Sequence, residues 1–165
     1  GITRDAGYLT KNDGDWYYEM HWLGFNYRLT DIQSALGISQ LKKIDRFVAL
    51  RRKIARKYNE VFRGLSGIKT IKETENASSA YHLYVIRVAN RKAVYDKMRE
   101  ENIIVNVHYI PVYLQPYYQA LGYKLGECPR AESCYAQMIS IPMHPQLTKE
   151  EINYVIEKLI DAVRK

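Results

Sequence analysis

From Ile32 to Phe62 the apolar residues return every third or fourth position, and only an α-helix gathers residues so spaced onto one side. The series runs through Ala35, Leu36, Leu41, Ile44, Phe47, Val48, Ile54, Ala55, Tyr58 and Val61, and its phase slips near Lys42–Asp45. That slip predicts two helices in series, over 30–42 and 45–63, kinked or broken at Asp45. Thr30-Asp31-Ile32-Gln33 opens the first as a capping box. The Thr hydroxyl takes the third backbone N–H and Gln33 reaches back to the cap N–H. Gly64 and Gly67 end the second. Its outer face carries Arg46, Arg51, Arg52, Lys53, Arg56 and Lys57.

Beyond Gly67 the pattern changes to short β-branched runs separated by helical ones. Residues 68–71 read as a short strand, 81–88 and 103–110 as better ones, and 139–141 as a strand stopped by Pro142. Helices are predicted over 91–101 and 130–138, with a turn and short helix in the Tyr-rich stretch 111–123. A last helix is capped by Thr148 with Glu151 closing its box, and its stripe is Ile152, Val155, Ile156, Leu159, Ile160 and Val163. Strand–helix–strand with flanking helices is an α+β pattern, a small sheet covered on one side. At 165 residues the chain is long enough to bury a core.

Charge and composition remove several function classes. No apolar run approaches the roughly 20 residues a membrane span needs. No basic-then-apolar leader opens the chain, so secretion is not indicated and a cytoplasmic location is expected. Gly1-Ile2-Thr3-Arg4 reads as the middle of a longer polypeptide. His21, His82, His108 and His144 have no metal-ligand spacing, and no phosphate-cradling Gly-rich loop occurs. Cys128 and Cys134 form no known redox motif and are expected as reduced thiols. The net charge of +7 allows a basic binding module, with nucleic acid as its possible partner. A solvated basic helix face is the plainer account of the same residues. The 15 Tyr against 3 Phe suit half-wet surfaces, an interface or a polar cleft. Trp16, Tyr17, Tyr18, Met20, Trp22 and Phe25 follow one another without periodicity, and so much aromatic surface needs something to pack on.

Two groups of residues carry chemistry. In Gly24–Gly37 an aromatic turn presents the Asn26 amide and the Arg28 guanidinium just before a capped helix. Both side chains and the helix N-terminus favour an anion. The alternative is a turn made by Asn26 and an Arg28–Asp31 ion pair. In Asn106-Val107-His108-Tyr109-Ile110-Pro111, alternation puts Asn106 and His108 on one strand face and Val107 and Tyr109 on the other. That strand end leads into a loop rich in hydroxyls, from Tyr113, Tyr117 and Tyr118. It fits a ligand site or a sheet end packed by Tyr.

Together with Gly1–Arg4, Tyr81–Tyr84 and Ser140–Pro145, these two segments occur in the order found in the DegT/DnrJ/StrS family of nucleotide-sugar aminotransferases, which the chain resembles along nearly its whole length. The resemblance implies an aspartate-aminotransferase-type fold (PLP fold type I), with this chain as its C-terminal small domain, a small antiparallel sheet with flanking helices. It implies an interface arm at 1–29 and the domain proper at 30–165. In the family the Asn matching Asn26 contacts the PLP phosphate of the neighbouring subunit. The segment matching Asn106, Val107, His108 and Tyr109 contacts the nucleotide-sugar substrate, and Arg28 supports the same shared site. The implied reaction moves an amino group from glutamate to a 4-keto nucleotide sugar in a homodimer. The implied setting is a UDP-linked amino sugar for surface-polysaccharide or pseudaminic acid type biosynthesis. Nothing here matches the family's Ser-x-Phe-x-x-x-Lys setting of the Schiff-base lysine. The resemblance therefore places that lysine upstream and makes this chain alone inactive.

Overall fold

The computed structural model describes residues 1–25 and 27–164. In chain order the elements are β1 (Ile2–Thr3), β2 (Glu19–Met20), α1 (Asp31–Leu41), α2 (Ile44–Phe62), β3 (Ile68–Thr70), β4 (Tyr84–Val88), α3 (Arg91–Glu100), α4 (Pro116–Ala120), α5 (Pro129–Gln137), β5 (Met138–Ile141) and α6 (Lys149–Arg164). They group into two compact units, Gly1–Lys43 and Ile44–Lys165, so α1 goes with the lead-in residues.

In the larger unit β4 is the middle of a three-stranded antiparallel sheet of order β3-β4-β5. Tyr84, Ile86 and Val88 alternate onto the buried face. The register sets Ile86 opposite Ile139 and Tyr84 opposite Ile141, so the same face of β5 continues the apolar layer. Onto it pack Ile54, Tyr58 and Phe62 of α2, Val94 and Met98 of α3, and Val155 and Leu159 of α6. For α2 and α6 these belong to the stripes predicted from the sequence, whereas the stripe predicted over the first helix is not buried, Ile32, Leu36 and Leu41 of α1 being exposed. β5 is buried at all four positions, so there the sheet is covered on both faces rather than one.

The two tyrosines inside this layer have partners for their hydroxyls. The buried Tyr58 donates its hydroxyl to the Pro142 carbonyl at 2.9 Å, and Tyr84 donates to Asn59 Oδ1 at 2.6 Å. Burial raises the pKa of both phenols, and each also feels a neighbouring Tyr. On α2, Arg51 Nη1 reaches the carbonyls of Tyr81, His82 and Met143 at 3.0–3.2 Å. Arg52 donates to those of Ser79 and Ser78. Two of the six basic side chains expected on a solvated face are thus structural ties, and Arg46, Lys53, Arg56 and Lys57 stay exposed.

The predicted strand 81–88 begins only at Tyr84, because Tyr81 has φ of 48°, a left-handed conformation that cannot continue a strand. The predicted strand 103–110 does not form. Ile103 and Val105 are buried as alternation expects, but pairing with β5 stops after a single bridge, Asn106 to Ser140. Asn106 Oδ1 accepts the N–H of Val107 at 2.8 Å, which turns the chain's hydrogen bonding back on itself.

In the smaller unit β1 pairs antiparallel with β2, Ile2 opposite Met20. Glu19 gathers the loop between them. Its carboxylate accepts Thr10 N at 2.9 Å, Thr10 Oγ1 at 2.5 Å, Lys11 N at 3.3 Å and Tyr17 Oη at 2.9 Å. These bonds, those from Thr10 foremost, lower its pKa to about 2. The capping box of α1 is present as predicted, with Gln33 N donating to Thr30 Oγ1 at 3.3 Å and Thr30 N donating to Gln33 Oε1 at 2.9 Å. That of α6 is present too, between Thr148 and Glu151. Thr30→Ala removes an oxygen that no other group replaces, and equilibrium denaturation should show a loss of about 1 kcal/mol.

Candidate functional site

In the larger unit the site is built on the sheet face opposite the core. Ile139 and Ile141 point into the core, so Ser140 between them points the other way, and it is 5% exposed. Asn106 and Ser140 exchange backbone bonds, N to O at 3.1 Å and 2.7 Å, which sets their side chains on the same side. His108, two residues on, returns to that side, and its Nδ1 lies 2.9 Å from Ser140 Oγ. Asn106 and His108 therefore share a face as predicted, although the strand that was to carry them is a single bridge.

Past the bridge the chain opens. Val107 and His108 are half-buried, whereas Tyr109 is 71% exposed and meets the His108 ring in a T-shaped contact at 4.8 Å. Since Asn106 Oδ1 is used by Val107, the NH₂ of Asn106 is the group left to donate outward. The result is a wall carrying an amide donor, an imidazole and a phenol, a set suited to the oxygens of a sugar or diphosphate.

Tyr113, in the loop that follows, is held by a contact the sequence did not announce. Its hydroxyl donates to Glu132 Oε1 at 2.5 Å, and the same oxygen accepts Gly126 N at 2.7 Å. Partial burial, then Glu132, pushes the Tyr113 pKa up to about 12. Tyr113 and Gly126 in turn hold the Glu132 carboxyl below its ordinary range. The only sequence signal for this latch is an acidic residue in the first turn of α5, just after Pro129. Tyr117 and Tyr118, singled out with it, are exposed and pack on each other at right angles, 5.4 Å between centroids. Arg87 of β4 donates to Gln137 Oε1 at 3.0 Å.

In the smaller unit Arg28 is exposed and lines a hollow of about 240 Å³ with Trp22, Phe25 and Tyr27. The Arg28–Asp31 ion pair is absent among the described residues. Asn26 lies outside the described residues. The Arg28 guanidinium and the N-terminus of α1 suit an anion such as the phosphate of PLP, while the Asp31 carboxylate in the first turn works against one. The Arg28 guanidinium and this helix start thus suit the phosphate end of such a group. The aromatic run around them stays open in this chain, with Leu23 95% and Phe25 85% exposed.

A three-stranded antiparallel sheet of this order under three helices is the fold of one part of the PLP-type sugar aminotransferases. Residues 2–160 match the DegT/DnrJ/EryC1/StrS aminotransferase family, and the chain belongs to it. It is 33% identical to a UDP-4-amino-4,6-dideoxy-N-acetyl-β-L-altrosamine transaminase of Campylobacter jejuni, over 91% of this chain and 41% of that protein. The putative sugar aminotransferase Spr1654 of Streptococcus pneumoniae, solved in apo, PMP and PLP forms, superposes in its apo form with a TM-score of 0.82. It shares 30% identity over 93% of this chain and 40% of that one. PseC of Helicobacter pylori, an aminotransferase of pseudaminic acid biosynthesis, superposes with a TM-score of 0.80 at 29% identity, over 98% of this chain and 44% of that one. The chain spans about 44% of the length of the first curated relatives it matches.

The latch gives a test with a defined sign. A carboxyl held below its ordinary value stabilises the fold fully above that value, and the contribution is lost as pH falls through the lowered pKa. Tyr113→Phe should raise amide hydrogen exchange across residues 112–126 at neutral pH. It should also shrink the further loosening that acid causes in the wild type, both read by mass spectrometry.

Proposed function

We propose that this chain is the C-terminal part of a PLP-dependent nucleotide-sugar aminotransferase. The enzyme transfers the amino group of glutamate to a 4-keto, UDP-linked sugar of the surface-polysaccharide or pseudaminic acid type. It works as a cytoplasmic homodimer whose two sites are shared between subunits. The observation that carries this reading is the family match over residues 2–160 by a chain that spans less than half of its relatives' length.

PLP, when bound, supplies the electron sink for moving the amino group. The lysine that carries it belongs to the upstream part, so this chain alone is inactive. Its own residues bind and orient. Asn26 donates to the PLP phosphate of the neighbouring subunit, with Arg28 beside it as support. Asn106, Val107, His108 and Tyr109 form the wall against the nucleotide sugar, with the Asn106 NH₂, the His108 ring and the Tyr109 hydroxyl as its polar contacts. The open aromatic surface around Trp22, Leu23 and Phe25 supports the arm at 1–29 as the part that lies on the second subunit. The alternative, a basic module for nucleic acid, is weakened because Arg51 and Arg52 are committed to backbone carbonyls.

A hydrogen bond to a charged phosphate contributes about 1.5–3 kcal/mol. Asn26→Ala in the full-length protein should therefore weaken PLP binding by roughly ten- to a hundredfold, since 1.4 kcal/mol is a factor of ten. A mixed dimer, one subunit with Asn26→Ala and the other with the lysine replaced, keeps one intact site if sites are shared. About half the native activity should return. No recovery in a confirmed mixed dimer places Asn26 in its own subunit's site and defeats the shared-site reading. His108→Ala should weaken binding of UDP-4-amino-4,6-dideoxy-N-acetyl-β-L-altrosamine more than binding of PLP, and equal losses with a lower melting temperature would mark His108 as structural.

A further inference from the structure

We propose that Ser140 is a positioning residue for His108, holding its imidazole as the Nε2–H tautomer so that Nε2 donates to an oxygen of the nucleotide sugar. The proposal rests on the reading of His108 as part of the substrate wall.

Ser140 stands in a strand whose other residues, Met138, Ile139 and Ile141, are apolar and buried, so its hydroxyl has no packing reason to be there. A buried hydroxyl costs stability unless it finds a partner. Its partner is His108 Nδ1, at 2.9 Å. The serine itself is fixed from both sides, paired to Val85 in β4 and to Asn106 across the bridge. Its oxygen therefore occupies a rigid point. His108 is the looser member, lying beyond the last regular backbone pairing.

The direction of the bond follows from counting hydrogens. A serine hydroxyl has one to donate, and among the described residues Nδ1 is the acceptor within reach of this one. Were Nδ1 protonated instead, the serine hydrogen would be buried with nothing to accept it. The hydroxyl thus donates to Nδ1, and the ring proton sits on Nε2. Nε2 lies on the far side of the ring from Nδ1, away from β5. The nucleotide sugar offers diphosphate, hydroxyl and carbonyl oxygens as acceptors there. Without Ser140 the ring divides between tautomers and rotates, and only a fraction of the protein presents the donor.

The test uses the full-length, PLP-loaded protein with ¹⁵N-labelled histidine. In the wild type the His108 nitrogen shifts should report the Nε2–H form, and in Ser140→Ala a mixture. Ser140→Cys, which keeps the volume but donates weakly, should resemble Ser140→Ala at an unchanged melting temperature. Ser140→Ala should raise the dissociation constant for UDP-4-amino-4,6-dideoxy-N-acetyl-β-L-altrosamine by about threefold to tenfold, the size of one hydrogen bond, and leave PLP binding alone. Added to His108→Ala it should cost nothing more. Unchanged tautomer shifts in Ser140→Ala, or full additivity with His108→Ala, overturns the proposal. So does a loss of affinity on His108→Ala with none on Ser140→Ala, which leaves the substrate wall standing. No loss on His108→Ala overturns the wall itself and the role of Ser140 with it.

Discussion

The larger unit depends on how α2 is fastened to the two chain segments at one end of its sheet. Arg51 reaches three carbonyls, two just before β4 and one just after β5, and Tyr58 donates to a fourth at Pro142. A carbonyl buried without a partner costs more than a hydrogen bond gains, so these two side chains satisfy carbonyls that irregular backbone beside α2 would otherwise leave unpaired. With those ends fixed, the alternation of β4 and β5 brings Ile86 against Ile139 and sends Ser140 to the other face. The placement of His108 follows from that of Ser140.

What was legible in the sequence was local. The capping boxes at Thr30 and Thr148 depend on residues three apart, and both are present. The helical stripes of α2 and α6 depend on period alone, and they contain the buried residues Ile54, Ala55, Tyr58 and Phe62 of α2 and Val155, Ile156 and Leu159 of α6, although Ile44, which the same period selects, is exposed. The stretch 103–110 has the composition of a strand, but a strand is made by a partner. Here the partner is β5, which is engaged at one residue only. Arg51 shows the same limit from another side. On a helical wheel it is one more cation on a polar face, and nothing nearby in sequence tells that carbonyls at Tyr81 and Met143 will arrive beside it. Likewise Tyr113 was noticeable as an aromatic in a polar loop, but Glu132, which holds it, lies in another element. The shared face of Asn106 and His108 survived the loss of the strand because a single antiparallel bridge preserves the period of two.

The two candidate groups differ in kind. The wall at 106–109 is assembled from elements of the larger unit, with backbone pairing and Ser140 behind it. The group at 24–31 has a well-made helix start, but its aromatic surroundings lie open. Burying a single large aromatic side chain contributes on the order of 1.5–3 kcal/mol, so an array of them left in water is a strong drive toward association.

The brevity of β3 and of the bridge at Asn106 has a consequence for solubility. A sheet that ends in a long unpaired strand offers a row of free N–H and C=O groups on which a second molecule can add. On one border of this sheet the row is three residues long, with the exposed Lys69 at its centre and Lys72 just beyond it. On the other, Asn106 folds its own side chain over the next amide and ends the ladder after one rung. Neither border is a template for templated stacking, so the chain can leave much apolar surface open in its smaller unit without inviting fibrous growth from its larger one.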